Sequence, residues 1–253
     1  MYDPRMRQKA LELLNEGRPV AEVNRRTGIP TTTLYNWRKN LSAQFERVLA
    51  TCPRCHDRPV DEAAYSYLLG LYLGDGHIAH APGHKGVFRL EIACGDVWPG
   101  LIDACADALA VVMPGLKIGR RASPGCTNVG AYSKHWPCLF PQHGPGMKHT
   151  RKIELVPWQR AIVDRRGREF IRGLIHSDGC RTTNRVRRTS NSGDRRHEYP
   201  RYFFTNASDD IRKLYTDSLD ALGIAWRQNS ARNISVARAE AVALLDGFVG
   251  PKY

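Results

Sequence analysis

Two aspartates occupy the next-to-last position of two closely similar segments, and they are the residues best placed to do chemistry. Residues 68–76 read LLGLYLGDG and residues 171–179 read IRGLIHSDG, so Asp75 and Asp178 hold the same position in each. A carboxylate in the last turn of a helix opposes the helix dipole, which costs about 0.3–1 kcal/mol. An aspartate at this unfavourable position in both segments indicates that the residue has a function.

Small residues recur at helical spacing within both segments. Gly70 and Gly74 lie four residues apart, as do Gly173 and Ser177, which places each pair on one face of its helix and permits close approach of a partner helix. If the two helices pair, the two carboxylates meet at one end of the interface and repel each other unless they are protonated or bridged by a divalent cation. Ligands that are all oxygen favour Mg²⁺ or Mn²⁺.

Each motif helix is expected to end at its Asp-Gly pair, with Gly76 and Gly179 in the left-handed conformation of a C-terminal cap. The same series of elements follows both motifs. Alternating polar and apolar residues in FRLEI and RYFFTN indicate strands, and helices are expected over 98–112 and 209–222. The order α-β-β-α-β-β-α therefore occurs once in each half of the chain.

The two motifs, 103 positions apart at their aspartates, resemble those of the LAGLIDADG homing endonucleases over roughly residues 62–250. The resemblance implies an α+β fold, in which a duplicated αββαββα core forms curved antiparallel sheets that straddle the major groove of DNA. It also implies metal-dependent hydrolysis of phosphodiester bonds. We expect Gly74 and Ser177 to join Asp75 and Asp178 as metal ligands. Leu73 and His176 stand where the family name shows Asp, but neither is the metal-binding position.

The family also places a basic residue near the scissile phosphate. The stretch 146–159 resembles its lysine-containing segment, and either Lys148 or Lys152 is a candidate to stabilise developing negative charge. Asn206, at the end of RYFFTN, is a candidate for positioning water.

The net charge of +13 is distributed unevenly. Residues 151–200 contain 13 Lys and Arg against 6 Asp and Glu, and residues 1–50 contain 9 against 5. Clustered positive charge of this kind indicates a polyanionic partner, most often nucleic acid. The basic strand RTTNRVRRT and the turn SNSGDRR that follows it predict a DNA-binding ribbon. Its candidate contacts are Arg181, Arg185, Arg187, Arg188, Arg195 and Arg196.

The N-terminal segment resembles the small helix-turn-helix domains of bacterial regulators and recombinases. Helices are expected over 5–16, 19–27 and 31–41, with a turn at Gly28-Ile29-Pro30 and with Thr31 capping the third helix. Leu34 and Trp37 would face inward. The outward side chains that are candidates for contacts with bases and phosphates are Thr32, Thr33, Tyr35, Asn36 and Arg38.

Cys52 and Cys55 form a C-x-x-C pair, which is half of a structural zinc site. The sequence leaves open whether the pair binds Zn²⁺ or lies in a linker as two free thiols. Cys138, His143 and His149 would complete a site only if the fold brings them near.

We therefore expect four parts: a helix-turn-helix domain (1–45), a linker (46–64) and two core halves (65–165 and 166–253). The expected partner is double-stranded DNA, and the expected state is a monomer in the cytoplasm, associated with the nucleoid and not with a membrane. The sequence favours a site-specific endonuclease that uses Mg²⁺ or Mn²⁺. It leaves open a transcriptional regulator with a catalytically silent core, and an RNA maturase.

Overall fold

A computed structural model describes residues 2, 4–49, 52–56, 58–83, 86–190 and 193–252, and the side chains of all of these except 4–5, 46–49, 56, 186–190 and 193–197. The N-terminal part contains four helices: α1 (Pro4–Asn15), α2 (Val20–Thr27), α3 (Thr31–Lys39) and α4 (Leu41–Leu49). They enclose a small apolar cluster of their own, formed by Ala10, Leu13, Leu14, Val20, Val23, Ile29 and Leu34.

Glycines terminate the first two helices as the sequence indicates, because Gly17 and Gly28 have φ of 78° and 68°, in the left-handed region. The expected cap at Thr31 is wrong. Pro30 precedes α3 and no side chain caps it, so Thr31 is the first helical residue. The segment after residue 40 was not expected to be helical, yet α4 extends through much of it and a 3₁₀ turn follows at Arg54–His56.

The first half of the core contains α5 (Glu62–Asp75), β1 (Gly76–His80), β2 (Phe88–Gly95), α6 (Pro99–Val112), β3 (Gly119–Ser123), β4 (Cys126–Ser133) and α7 (Trp136–Leu139). Its strands form an antiparallel sheet in the order β1-β2-β4-β3. Side chains alternate across the sheet, so Leu90, Ile92 and Val129 face the core while their neighbours face outward.

The second half repeats this pattern, as the sequence predicts. It contains α9 (Gly167–Asp178), β5 (Gly179–Ser190), β6 (Gly193–Thr205), α10 (Asp209–Ala221), β7 (Arg227–Ser230), β8 (Asn233–Val236) and α11 (Ala239–Asp246). The strand order β5-β6-β8-β7 matches that of the first sheet. A helix that the sequence did not predict, α8 (Pro157–Arg165), precedes α9. In the described part of the chain, no helix is both long and apolar enough to span a membrane.

The two halves meet where α5 packs against α9. A Cβ on Gly70 would lie 2.5 Å from the carbonyl oxygen of Phe170, and a Cβ on Gly173 would clash with the carbonyl oxygen of Tyr67. The helix backbones therefore touch, and only glycine fits at these positions. The expected role of the small residues in helix pairing is confirmed.

Candidate active site between the paired helices

The pairing of α5 and α9 brings Asp75 and Asp178 together at one end of the interface. The Oδ2 atom of Asp178 lies only 3.0 Å from the point where a Cβ on Gly74 would stand. Asp75 is exposed to solvent at the end of its helix, and Asp178 is half-buried. Desolvation by the surrounding protein, with the Asp178 charge as the next cause, raises the pKa of Asp75 to about 6. Burial also raises the pKa of Asp178.

Glycine follows each aspartate because of close packing and not because of a left-handed cap. Gly76 and Gly179 have φ of −85° and −106°, which is extended backbone, so the expected left-handed caps are wrong. A Cβ on Gly76 would lie 2.5 Å from the Cα of Tyr72, and one on Gly179 would lie 2.7 Å from the Cα of Ile175. The chain thus turns directly from each helix into a strand, with the carboxylate at the corner.

Lys148 lies at the end of the first motif helix. Its Nζ donates to the carbonyl oxygens of Tyr72 at 2.7 Å, Gly74 at 2.5 Å and Gly76 at 2.9 Å. Burial lowers the pKa of Lys148 to about 8, although Asp178 and Asp75 oppose that shift. Of the two lysines proposed from the sequence, Lys148 is therefore the one beside the aspartates.

Side-chain hydrogen bonds to backbone carbonyls hold the loop that carries Lys148. The Nε2 of Gln142 donates to the carbonyl oxygen of Glu154 at 2.7 Å, and the guanidinium of Arg151 donates to the carbonyl oxygens of Gln142 and Gly146. The Nε2 of Gln159, on α8, donates to the hydroxyl of Tyr65, on α5, at 2.7 Å. The stretch of Gly, Pro and His around 140–150, which the sequence did not explain, therefore positions a lysine.

Lys252 lies at the end of the second motif helix, as Lys148 does at the end of the first. It was not predicted from the sequence. Its Nζ donates to the carbonyl oxygens of Ser177 at 3.3 Å and Gly179 at 2.6 Å. Burial lowers its pKa, and Asp75 and Asp178 act in the opposite direction. A signal was present in the sequence: Lys148 follows Asp75 by 73 positions, and Lys252 follows Asp178 by 74.

The structure does not bring Lys152 to this site. Its side chain is 73% exposed and pairs with Glu154 at 2.6 Å on the surface. Asn206 does lie at the site, because its Nδ2 donates to Asp178 Oδ2 at 2.6 Å and this bond opposes the rise in the pKa of Asp178. It therefore positions the carboxylate directly, whereas the sequence suggested that it positions water.

The two other expected metal ligands are engaged by lysines. The Gly74 carbonyl accepts from Lys148, and the Ser177 carbonyl accepts from Lys252. The Ser177 hydroxyl instead donates within its own helix, to the carbonyl oxygens of Gly173 and Leu174. His176 is buried, shares a 2.9 Å hydrogen bond with the Tyr67 hydroxyl and lies 3.0 Å from the Val249 carbonyl oxygen, which is a structural role.

Two clefts border the lysines that lie at the ends of the motif helices. One of about 630 Å³ is bordered by Lys148, Asp178 and Asn206. The other, of about 470 Å³, is bordered by Lys252, Trp98 and Arg181. Each lysine thus borders its own cleft, and the cleft beside Lys148 is the one that also reaches Asp178.

The side chains of α3 that were expected to face outward do so, one of them only in part. Thr32, Tyr35, Asn36 and Arg38 are exposed and Thr33 is half-buried. Tyr35 is 51% exposed, and the guanidinium of Arg38 lies 5.3 Å from the centre of its ring. Leu34 is buried and Trp37 packs partly against the same cluster.

The predicted ribbon is the hairpin of β5 and β6, which pair over twelve positions from Gly179 and Phe204 to Ser190 and Gly193. Arg181 registers with the buried Tyr202 and pairs with Asp246 of α11 at 2.7 Å, so it lies on the face of the sheet that the helices cover. Arg185 pairs with Glu198 at 3.0 Å. For the other arginines the backbone register is described and the side chains are not; Arg187 registers with Arg196, and Arg188 with Arg195.

The opposite, open face of each sheet carries polar groups that the sequence analysis did not single out. In the first sheet, Arg89 registers with Tyr132, whose side chain is 54% exposed. Arg121 of β3 pairs with Glu91 of β2 at 3.2 Å. In the second sheet, Arg201 stacks on Phe203 and donates to the Ser235 hydroxyl at 2.8 Å. Alternation along the strands places all of these opposite the core.

Cys52 and Cys55 do meet a distant part of the chain. The residues that join them are Cys138, as the sequence allowed, and His135. His143 and His149, the histidines suggested from the sequence, instead border the cleft beside Lys148.

The architecture of the core is similar to that of a protein solved in complex with DNA. The crystal structure of I-DmoI in complex with DNA and Mn matches at a TM-score of 0.50 and 14% identity, covering 76% of this chain and 99% of that one. The core has the LAGLIDADG fold. The LAGLIDADG meganuclease I-AabMI bound to uncleaved DNA matches at 0.46 and 11% identity, over 73% of this chain and 82% of that one. The N-terminal LAGLIDADG domain of DUF199/WhiA matches at 0.45 and 9% identity, over 83% and 91%.

The comparisons also cover the N-terminal part. A helix-turn-helix family described as transposase matches residues 1–61, which agrees with the helices α1 to α4. No curated protein sequence matches the chain. The expected fold class, a duplicated LAGLIDADG core preceded by a small helix-turn-helix region, is confirmed.

Proposed function

We propose that the protein is a site-specific DNA endonuclease that hydrolyses phosphodiester bonds with divalent metal at Asp75 and Asp178. One observation carries the proposal: two carboxylates from separate halves meet at a helix interface, and each half adds one partly buried lysine. A purely structural interface would gain nothing from two acids whose pKa values are raised by burial, with the charge of Asp178 as a further cause at Asp75.

The residues present suit a hard divalent cation. Asp75 and Asp178 offer carboxylate oxygens, and the carbonyl oxygens of Gly74 and Ser177 lie on the same helix ends. Oxygen ligands of this kind are preferred by Mg²⁺ and Mn²⁺. Such an ion would supply Lewis-acid stabilisation of the phosphate and a nucleophile that is active at neutral pH. The structure of I-DmoI with DNA and Mn supports the choice of a divalent metal.

The other side chains at the site have roles that follow from their contacts. The amide of Asn206 holds Asp178 in one orientation through the 2.6 Å bond. Lys148 and Lys252 are donors that can exchange their carbonyl partners for the oxygens of a bound phosphate. Because the pKa of Lys148 is lowered only to about 8, its ammonium is still mostly protonated at neutral pH.

Two surfaces support binding to DNA. The exposed polar side chains of α3 suit a recognition helix in the major groove. The open faces of the two sheets present Arg89, Arg121 and Arg201, and aromatic side chains lie beside the first and the last of these. The net charge of +13 favours a polyanion over other ligands.

Site selection followed by cleavage tests the proposal. DNA that binds the protein without divalent metal is selected from a random pool and placed in a supercoiled plasmid. Addition of Mg²⁺ or Mn²⁺ is expected to linearise this plasmid and to leave a plasmid without the site intact. Tight binding with no cleavage under either metal would overturn the enzymatic part of the proposal and leave DNA binding.

A transcriptional regulator with a silent core is the second candidate, and one observation favours it. The ammonium groups of Lys148 and Lys252 already lie on the carbonyl oxygens of the motif ends and offset the charges of Asp75 and Asp178. If the lysines offset these charges, Asp75 and Asp178 can lie close together without a bound metal ion. The plasmid assay separates the two functions because only the endonuclease cuts its own binding site.

A further inference from the structure

We propose that Cys52, Cys55, His135 and Cys138 form a structural zinc site that fastens the segment after the helix-turn-helix to the first half of the core. One sulfur or nitrogen atom from each residue lies within 4.8 Å of those from the other three. Three thiolates and one imidazole are a donor set that zinc uses in closed, structural sites. The site is separate from the carboxylates and does not depend on the proposed function.

The distances suit a tetrahedral ion. Cys55 Sγ lies 3.5 Å from Cys138 Sγ and 3.4 Å from His135 Nδ1. With Zn–S of about 2.3 Å and Zn–N of about 2.0–2.1 Å, the edges of a tetrahedron are roughly 3.8 Å for S···S and 3.6 Å for S···N. Small adjustments of side chains would therefore admit the ion.

Each half of the site is a short, well-held turn with its two ligands three residues apart. Cys55 lies in the 3₁₀ turn Arg54–His56, directly after Cys52 and Pro53. His135 precedes α7, where its backbone N–H donates to the Ser133 hydroxyl at 3.1 Å and its carbonyl accepts from the N–H of Cys138 at 3.0 Å. Two such pairs that are 80 residues apart in sequence meet in space, which a linker with two free thiols has no reason to produce.

The surroundings favour a structural role over a catalytic one. Cys52 is fully buried, and Cys55 and His135 are half-buried. Four protein ligands fill a tetrahedral shell, so no position stays open for substrate. Among the described residues, this is the only group of three or more His, Cys, Asp or Glu side chains that meets the geometry for metal binding.

Such a site would fix the position of the segment that joins the helix-turn-helix region to the core. α4 ends at Leu49 and Cys52 follows three residues later, while His135 and Cys138 lie at the end of the first sheet. A zinc ion there would restrict the spacing between α3 and the two sheets.

Metal analysis of the full chain tests the inference. Protein purified without added metal and dialysed is expected to retain one zinc ion per chain, and Co²⁺ in its place is expected to give the strong visible absorption of a tetrahedral thiolate site. Cys55→Ser and His135→Ala should lose most of the zinc, whereas Cys138→His, which keeps a ligand, should retain part of it.

Matched controls separate this site from others. Cys126→Ser and His149→Ala change residues outside the cluster and should keep the full zinc content. Asp75→Asn should keep it as well, which excludes the carboxylate pair as its location. Equal zinc content in wild type and Cys55→Ser, no zinc or cobalt binding by wild type, or a Cys55–Cys138 disulfide found by mass spectrometry under reducing purification would each overturn the inference.

Treatment with a chelator tests the zinc site without any assay of DNA cleavage. A strong chelator is expected to lower the Tm of the wild type and to speed proteolysis between residues 49 and 62, but to leave the already destabilised Cys55→Ser unaffected. Identical responses of both proteins to the chelator would contradict a structural ion at this position.

Discussion

Lys148 and Lys252 hold equivalent positions in the two halves of the core. Lys148 Nζ donates to the carbonyl oxygen of Gly76 at 2.9 Å, and Lys252 Nζ donates to that of Gly179 at 2.6 Å. These glycines follow Asp75 and Asp178 directly. The two-fold repeat therefore includes these two lysines as well as the motif helices. Lys148 lies in a central loop, and Lys252 lies near the end of the chain.

Replacing either lysine with methionine is expected to lower the cleavage rate by about 10²–10³-fold, because each is a charged donor close to where phosphate charge develops. Lys152→Met is the matched control and should cleave at the wild-type rate, since Lys152 pairs with Glu154 on the surface. Single-turnover cleavage and binding are measured on the same selected site. A rate for Lys252→Met equal to that of wild type would remove Lys252 from the mechanism.

The pH dependence of stability should report on Asp75. Burial raises the pKa of its carboxyl from 3.8 to about 6, so the folded protein holds the proton more tightly than the unfolded chain does. Ionisation therefore opposes folding, and the free energy of unfolding contributed by this group falls as the pH rises from about 4 through about 6. In metal-free protein, Asp75→Asn should raise the Tm at pH 7 more than at pH 4. Asp107→Asn, an exposed carboxyl on α6, serves as the control, and an identical pH profile for Asp75→Asn and Asp107→Asn would contradict the raised pKa.

The close approach of α5 and α9 predicts a severe effect of one added methyl group. Gly173→Ala should destabilise the fold by about 1–3 kcal/mol or more, because its Cβ would meet the carbonyl of Tyr67 and not a movable side chain. Gly167→Ala is the control, since a Cβ there meets no atom within 4 Å and alanine favours the helix. Chemical denaturation measures both. If Gly173→Ala were as stable as Gly167→Ala, the helices could not pack as closely as described.

Binding to DNA should depend steeply on salt. With six to ten phosphate contacts, the affinity is expected to fall by about 10³–10⁵-fold between 50 and 200 mM salt, because each contact releases condensed counterions. Fluorescence anisotropy with the selected site gives the slope. An affinity that changes less than about tenfold over that range would be inconsistent with a phosphate-based interface of this size.

Much of the core could be predicted from the sequence because its elements repeat. The spacing of Gly70 and Gly173 within two similar segments predicted the helix pair, and the series of strands after each segment predicted both sheets. These are local patterns, and tertiary structure preserves them. The end of the first motif helix at Gly76 was predicted, but the left-handed conformation expected there was wrong, because a close contact with the preceding helical turn is not visible in a sequence.

The residues that were missed are those that depend on long-range contacts. Lys252 and His135 have no local signal that marks them as functional, and each acquires its role from a segment more than 70 positions away. Lys152 was indistinguishable from Lys148 in sequence, since both follow the same Gly-rich loop. Only the burial of one and the exposure of the other separates them.

Cleavage by the two aspartate variants tests the central claim most directly. A supercoiled plasmid with the selected site is incubated with Mg²⁺ or Mn²⁺ and with wild type, Asp75→Asn or Asp178→Asn. The account predicts that wild type cuts the site, and that both variants bind it with at least wild-type affinity in metal-free buffer but do not linearise the plasmid. Equal cutting by wild type and both variants, or tight binding without cutting by wild type, would contradict it.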